Sequence, residues 1–485
     1  MTNSYNEPQK LPVNGIWYIL TVSLTKTLKT LLVPLIVLIT SRRTSDFMWQ
    51  LLVIVYPVIT LINALIKMRT FNYYVQEQSL IIEYGLFKKE KINIPFKKIT
   101  GINIEQRFLH QPFGLALMKI ETAGTNKTEG EIPSIEMRKA LELKEIILEK
   151  ASADETIEEK KEPLLRLNSA QLLRFAISDN HIRTFFLVLG ISWIYLNRMR
   201  ELMGDDWVRD ITNKYIFHWY ELSVYVYVIL IVLILAIAYS VIKTFLKFDG
   251  FVLQKDHLSY QYQAGLIDKK NTVIPFRKVQ FVRMKTNWWR KKWNIYNIIL
   301  RQSQAGESNK ENKKSFTFPV FDKEMYRNIL NTYYHDLTEE SATNRVHASY
   351  WIRLMIIPSL VIFVVVATAA YFYESYWILL VIIPLMVYQF IVSRLYVKNY
   401  RFYVNEEAVQ IDSGVWGRQV ELLQWKNIQN IGITQTVLQK RKAVANVQLV
   451  TASGIITIPY INYEDALRIQ NHVVYVTAQS SRSWL

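Results

Sequence analysis

Between Lys269 and Lys292 the chain carries nine basic residues and no acidic one: Lys269, Lys270, Arg277, Lys278, Arg283, Lys285, Arg290, Lys291 and Lys292. Inside this run, NWWRKKW sets Trp288, Trp289 and Trp293 beside three cations. Indole rings favour the headgroup zone of a bilayer, and a cation near an anionic leaflet gains about 1 kcal/mol. These residue types suit docking on anionic lipid, with Lys285, Trp289, Arg290, Lys291 and Lys292 as the candidate lipid- or partner-binding set. A second reading makes the tryptophans core or repeat-packing residues on a solvated pair of basic strands. Arg290, Lys291 and Lys292 are adjacent, so in an extended strand they cannot all point to one side. Basic aromatic surfaces also suit nucleic acid. Here the charge lies beside apolar spans, where positive-inside bias accounts for it, and no nucleic-acid partner is expected.

No catalytic set is legible. The seven histidines are scattered, without the helical spacing of a metal pair. Neither a G-x-S-x-G elbow nor a P-loop occurs, and no carboxylate pair presents itself as acid and base. The chain lacks cysteine, which excludes disulfides, thiolate metal sites and a cysteine nucleophile. The reading is therefore no enzyme, no catalytic residue, no metal and no cofactor.

The elements around the basic run are membrane-like. Half of the 485 residues are apolar, and they cluster. Four windows have almost no charge and about the length of a bilayer crossing: Phe47–Ile66, Leu222–Ile242, Leu354–Phe372 and Tyr376–Val392. Two weaker ones, Leu28–Thr40 and Thr184–Leu196, each precede a clear span. Six segments then form three hairpins. Lys and Arg crowd the flanks KMR, IKTFLKF and SRLYVKNYR, which places both termini and the large soluble parts in the cytoplasm. The stretch LLRLNSAQLLRFAI reads either as an interfacial helix or as the solvated start of a span. ASADETIEEKKEP, residues 151–163, reads as a solvated linker.

The soluble parts repeat. NIPFKKIT at 93–100 returns as VIPFRKVQ at 273–280 and, altered, as LLQWKNIQ from Leu422. Gly85, Gly265 and Gly414 stand eleven residues before Phe96, Phe276 and Trp425 respectively. The register runs on without a gap through Gln106, Thr286 and Gln435 to Ile120, Leu300 and Leu449. Period-two runs (LIIEYG, LSYQYQAG, VQIDSG) read as strands entering a glycine turn, with INIPF, TVIPF and VELLQW as the strands leaving it. A helix-like stretch ends each copy: EMRKALELKEIILEK, DKEMYRNILNTYYHD and NYEDALRIQNHVVYV. The chain is three copies of one module of strands closed by a helix.

The order of strand, glycine turn, IPF[KR]K[IV], Gly114-Leu115-Ala116, ETAG and a final helix resembles the bacterial pleckstrin-homology-like (PH-like) domains. The triplicate arrangement with hairpins is similar to the YdbT-type family of multi-pass membrane proteins. In copy two Asn294, Ile295 and Tyr296 replace the Gly-Leu-Ala element. The resemblance implies a membrane α plus β protein, with three transmembrane hairpins each followed by a seven-stranded, bent β-sandwich or barrel capped by a C-terminal helix. Expected boundaries are hairpins at 1–66, 164–242 (with its amphipathic lead-in) and 347–397, and modules at 67–155, 243–336 and 398–485. The function expected is a non-enzymatic scaffold of the cell membrane, whose cytoplasmic modules bind partner proteins, each other or anionic phospholipid at the inner leaflet. The resemblance further implies a partner, a smaller membrane protein with one such domain. The alternative is a transporter, permeability component or envelope-protection protein, but the four clear spans carry no ionisable residue of the kind a conducting pathway tends to keep.

Overall fold

The computed structural model describes residues 5–25, 27, 30, 47–86, 89–122, 130–151, 163–203, 221–256, 259–302, 315–331, 333, 343–372 and 374–479. Most of the expected Leu28–Thr40 span and the linker over 152–162 lie outside these residues. The chain divides into two compact units, Met1–Pro275 and Phe276–Leu485.

In the first unit, module one starts with β1 (Gln9–Lys10), followed by the helices α1 (Val13–Thr25) and α2 (Phe47–Thr70). Strands β2 (Asn72–Gln76), β3 (Ser79–Tyr84) and β4 (Glu90–Pro95) come next and pair in the order β1-β2-β3-β4. Proline cannot donate to a ladder, and Pro95 ends β4. The 3-10 turn Phe96–Lys98 then redirects the chain into β5 (Ile99–Gln106), β6 (Leu115–Thr122), β7 (Gly130–Glu136) and the helix α3 (Met137–Ala151). Ile82, Ile94, Phe96, Ile102, Ile104 and Ile120 form the core with Ala140, Leu143 and Ile147 of α3. That i, i+3, i+7 spacing is one face of a helix. In module one the IPF phrase is thus the corner between two sheets, with Phe96 1% exposed.

Module two opens with β8 (Pro163–Arg166), α4 (Ser169–Ile177), α5 (Ile182–Met203) and α6 (Glu221–Phe248). A capping box between Asn168 and Gln171 starts α4 as a separate helix, burying Leu172, Phe175 and Ala176. Then follow β9 (Val252–Lys255), β10 (Ser259–Ala264) and β11 (Lys269–Pro275). These four strands join module one edge to edge, giving a seven-stranded sheet ordered β7-β6-β5-β11-β10-β9-β8.

The second unit repeats the arrangement. It begins with β12 (Val279–Asn287), a one-turn helix α7 (Trp288–Lys292), β13 (Tyr296–Gln302), β14 (Ser315–Val320) and α8 (Lys323–Asn331). Module three adds β15 (Thr343–Arg345), α9 (Tyr350–Phe372), α10 (Ile382–Asn399), β16 (Arg401–Val404), β17 (Ala408–Ser413) and β18 (Gly417–Gln424). It closes with β19 (Ile428–Thr434), α11 (Val437–Arg441), β20 (Val444–Thr451), β21 (Gly454–Asn462) and α12 (Tyr463–Gln479). The sheets are β14-β13-β12-β18-β17-β16-β15 and β19-β20-β21. Trp425, fully buried, centres the core of module three and donates from Nε1 to the Asn405 carbonyl at 2.8 Å.

Among the described residues each module has seven strands, and the first of each lies ahead of the expected module boundary. Strands β1, β8 and β15 pair with β2, β9 and β16, so each module's first strand precedes the apolar helices that interrupt it. These strands have two to four residues, too few for a period-two pattern to show. Among the described residues, three helices are long and apolar enough to cross a membrane: Ile229–Phe248, Tyr350–Phe372 and Tyr376–Asn399.

Candidate membrane-facing site

The repeat glycines set the geometry. Gly85, Gly265 and Gly414 have φ of 111°, 111° and 129°, where a side chain is strained. A Cβ on Gly265 would also collide with the Asp268 carbonyl, and one on Gly414 with that of Gly417. Each glycine turn is tied to the helix that feeds its module. Gly85 N–H donates to Thr70 Oγ1 at 3.1 Å. Gly265 N–H donates to the Asp249 carbonyl at 2.8 Å and Leu266 N–H to that of Leu246 at 3.0 Å. Asn399 Nδ2 donates to the Gly414 carbonyl at 2.9 Å. Just past the glycines, Leu86, Leu266, Ile267 and Trp416 are exposed.

A second loop, between the fifth and sixth strand of each module, is built alike three times. It contains the 3-10 turn Phe108–Phe113 in module one, α7 in module two and α11 in module three. Each ends on a left-handed residue: Gly114, Asn294 or Ala443, with φ of 62°, 53° and 50°. Each is closed by one equivalent hydrogen bond. Gln106 donates to the Leu115 carbonyl at 3.1 Å, Thr286 to that of Ile295 at 3.1 Å, and Gln435 to that of Val444 at 3.0 Å. Asparagine tolerates the left-handed region, so copy two keeps the loop without the Gly-Leu-Ala sequence. All three loops expose large apolar side chains: Phe108, Leu109 and Phe113; Trp288, Trp289 and Trp293; Val437 and Leu438. In module one the loop reaches the neighbouring glycine turn, where Gln111 Nε2 donates to the carbonyls of Leu266 and Ile267 at 3.0 and 2.6 Å. In the second unit Asn287, which caps α7, stands opposite Gly417 beside Trp416.

The predicted binding set is therefore divided. Trp289, Lys291 and Lys292 are exposed on α7, and Trp289 packs on Trp288 and Trp293 at ring distances of 4.9 and 6.2 Å. The strand expected there is replaced by a single helical turn that Asn287 Oδ1 caps, accepting from Arg290 N–H at 2.7 Å. Arg290 is buried and takes no part in the exposed surface. Lys285 is also exposed, on β12, with its pKa lowered by desolvation and by Arg283. Lys278, earlier in the run, is pulled down to about 8 by burial and Arg277. The nine cations are not one docking surface. The sequence reading missed the equivalent loops of modules one and three and the glycine-turn residues Leu86, Leu266 and Trp416. An apolar residue one or two positions after each repeat glycine was the available signal. Among the described residues no cluster of His, Asp or Glu is arranged to hold a metal.

Seven strands, a closing helix and a threefold recurrence define a class: the chain belongs to the bacterial PH domain family, whose model matches residues 24–151, 208–337 and 356–476. It is a membrane protein built on bacterial PH repeats. Over 501 residues it is 23% identical to the UPF0699 transmembrane protein YdbT of Bacillus subtilis (strain 168), covering 98% of this chain and 99% of that relative.

Proposed function

We propose that the chain is a non-enzymatic, multi-pass scaffold of the cell membrane. Six helices in three hairpins hold three PH-type modules on the cytoplasmic side, with both termini. The modules bind partner proteins, among them a smaller membrane protein with a single module of this type, and rest on anionic phospholipid of the inner leaflet. One observation carries this reading: every glycine turn is bonded to the end of the helix that feeds its module, with exposed Leu86, Leu266 or Trp416 alongside. Such residues sit where an emerging helix meets headgroups, and within the second unit the α7 tryptophans with Lys291 and Lys292 follow Asn287, which pairs with Gly417 next to Trp416.

The test uses the full chain in nanodiscs, with a single cysteine at Trp289 or Trp416 carrying a polarity-sensitive dye. In discs containing acidic lipid the emission shifts to the blue and returns as salt rises. Lys291→Gln with Lys292→Gln weakens the shift at Trp289 while thermal stability holds, because exposed charges contribute little to folding. Equal emission in acidic and neutral discs at low salt would defeat the lipid contact.

A further inference from the structure

Two junctions inside the chain follow one rule. At the first, β11 of module two lies against β5 of module one, with Lys270 opposite Glu105, Asn271 opposite Ile104 and Thr272 opposite Asn103. At the second, β18 of module three lies against β12 of module two, with Gln419 opposite Lys285, Val420 opposite Met284 and Glu421 opposite Arg283. These are the same repeat positions, so the fourth strand of one module docks on the fifth strand of the one before in one fixed register. The incoming strand also meets the closing helix of the earlier module. Lys144 of α3 donates to Asn271 Oδ1 at 2.9 Å, and Gln424 Nε2 donates to the Tyr333 carbonyl just beyond α8.

Module three presents the same socket, with no strand on it among the described residues. Among the described residues β19 pairs only with β20, leaving its other edge open. A groove runs between that edge and α12, lined by Ile428, Gln429, Asn430, Ile431, Val473 and Val474. The burial of two repeat positions differs accordingly. Ile102 and Ile104 are 1% exposed under β11, and Val282 and Met284 are 1% and 3% exposed under β18, whereas Ile431 and Ile433 are only half-buried. An uncharged, proline-free open edge is a template for another strand.

We infer that the β19–α12 groove receives the fourth strand of a PH-type module on a different protein. The chain's own β4 is excluded by its chemistry. In the shared register, the positions of Asn271 and Val420 and of Val273 and Leu422, all buried, face the socket. Strand β4 has exposed Lys91 and Asn93 there, and Lys91 is already paired with Glu83 at 3.0 Å. Docking a second copy would bury that ammonium against Ile433, which is costly. The occupant is uncharged opposite Ile433 and apolar opposite Ile431. Strand β4 is a polar edge of module one and β19 a receiving edge of module three. This rests on the scaffold reading and gives its protein-binding arm a site.

The test places a photo-crosslinking residue at Asn430 of the full chain in its native membrane and maps the adduct by mass spectrometry. The expected adduct is the strand preceding the corner turn of a PH-type module in another protein. Val474→Glu, at an exposed groove position, and Ile433→Lys should each reduce it about tenfold, with the fold of the first checked by thermal melting. An adduct on Glu90–Pro95 of a second copy, an adduct outside any PH-type module, or no protein adduct overturns the inference. If partners still co-purify through other surfaces in that case, the scaffold reading stands and only the socket falls.

Discussion

Gly114, Asn294 and Ala443 hold one left-handed turn with three different residues, and their cost differs. Alanine pays a steric penalty there that glycine does not, of about 1 kcal/mol. Ala443→Gly should therefore raise the stability of module three by roughly 0.5–1 kcal/mol in thermal or denaturant melts, although elsewhere glycine destabilises. A lower melting point would contradict the assigned turn. His110 gives a second prediction at this scale. It is fully buried, its ring tilted by 40° against that of Tyr18 with centroids 3.8 Å apart, and burial, reinforced by Arg107, lowers its pKa to about 4. The unfolded chain, with an ordinary histidine near 6.5, binds the proton more tightly. Stability is then complete above pH 6.5 and falls as pH drops toward 4, by about 2 kcal/mol at pH 5. Melts of His110→Asn should show less acid sensitivity between pH 7 and 5 than the wild type. Equal sensitivity would remove His110 as the cause.

At the scale of elements, what the sequence showed and what it hid follow from length and repetition. The corner turns and glycine turns were legible because Gly85, Gly265 and Gly414 keep one spacing to Phe96, Phe276 and Trp425. The closing helices were legible from the spacing of residues such as Ala140, Leu143 and Ile147. Strands β1, β8 and β15 were hidden by their shortness, and α7 because a single turn between strands leaves no period. The loss of Arg290 from the binding set was equally hidden, since burial of one cation among three depends on how that turn is capped. The junction strands left a trace that alternation alone does not explain. Strands β11 and β18 bury apolar residues on both faces, Val273 and Ile274 in one and Leu422 and Leu423 in the other, where β4 carries Lys91 and Asn93. Strands buried on both sides read as continuous apolar runs. The β5–β11 junction can be checked directly in a chain without native cysteine. Asn103→Cys and Thr272→Cys, directly opposite one another, should oxidise to a disulfide that keeps the two pieces together after cleavage within 152–162. Separation of the pieces without reductant would contradict the register.

For the whole molecule, a chain whose first module has a polar β4 edge and whose third has an open β19 edge among the described residues is directional along its sequence, and a scaffold that recruits through one module needs that. Repeat arrays commonly shield their terminal faces with polar residues, and β4 fits that role whereas β19 does not. Amide hydrogen exchange across β5, β12 and β19 tests this most directly, comparing purified chain in nanodiscs with chain in its native membrane. Backbone groups in a covered strand exchange slowly and those on an open edge quickly. The account predicts slow exchange in β5 and β12 in both settings, and fast exchange in β19 that slows in the native membrane. Slow exchange of β19 in the purified chain would contradict the open edge, and fast exchange in both settings would contradict recruitment of a partner there.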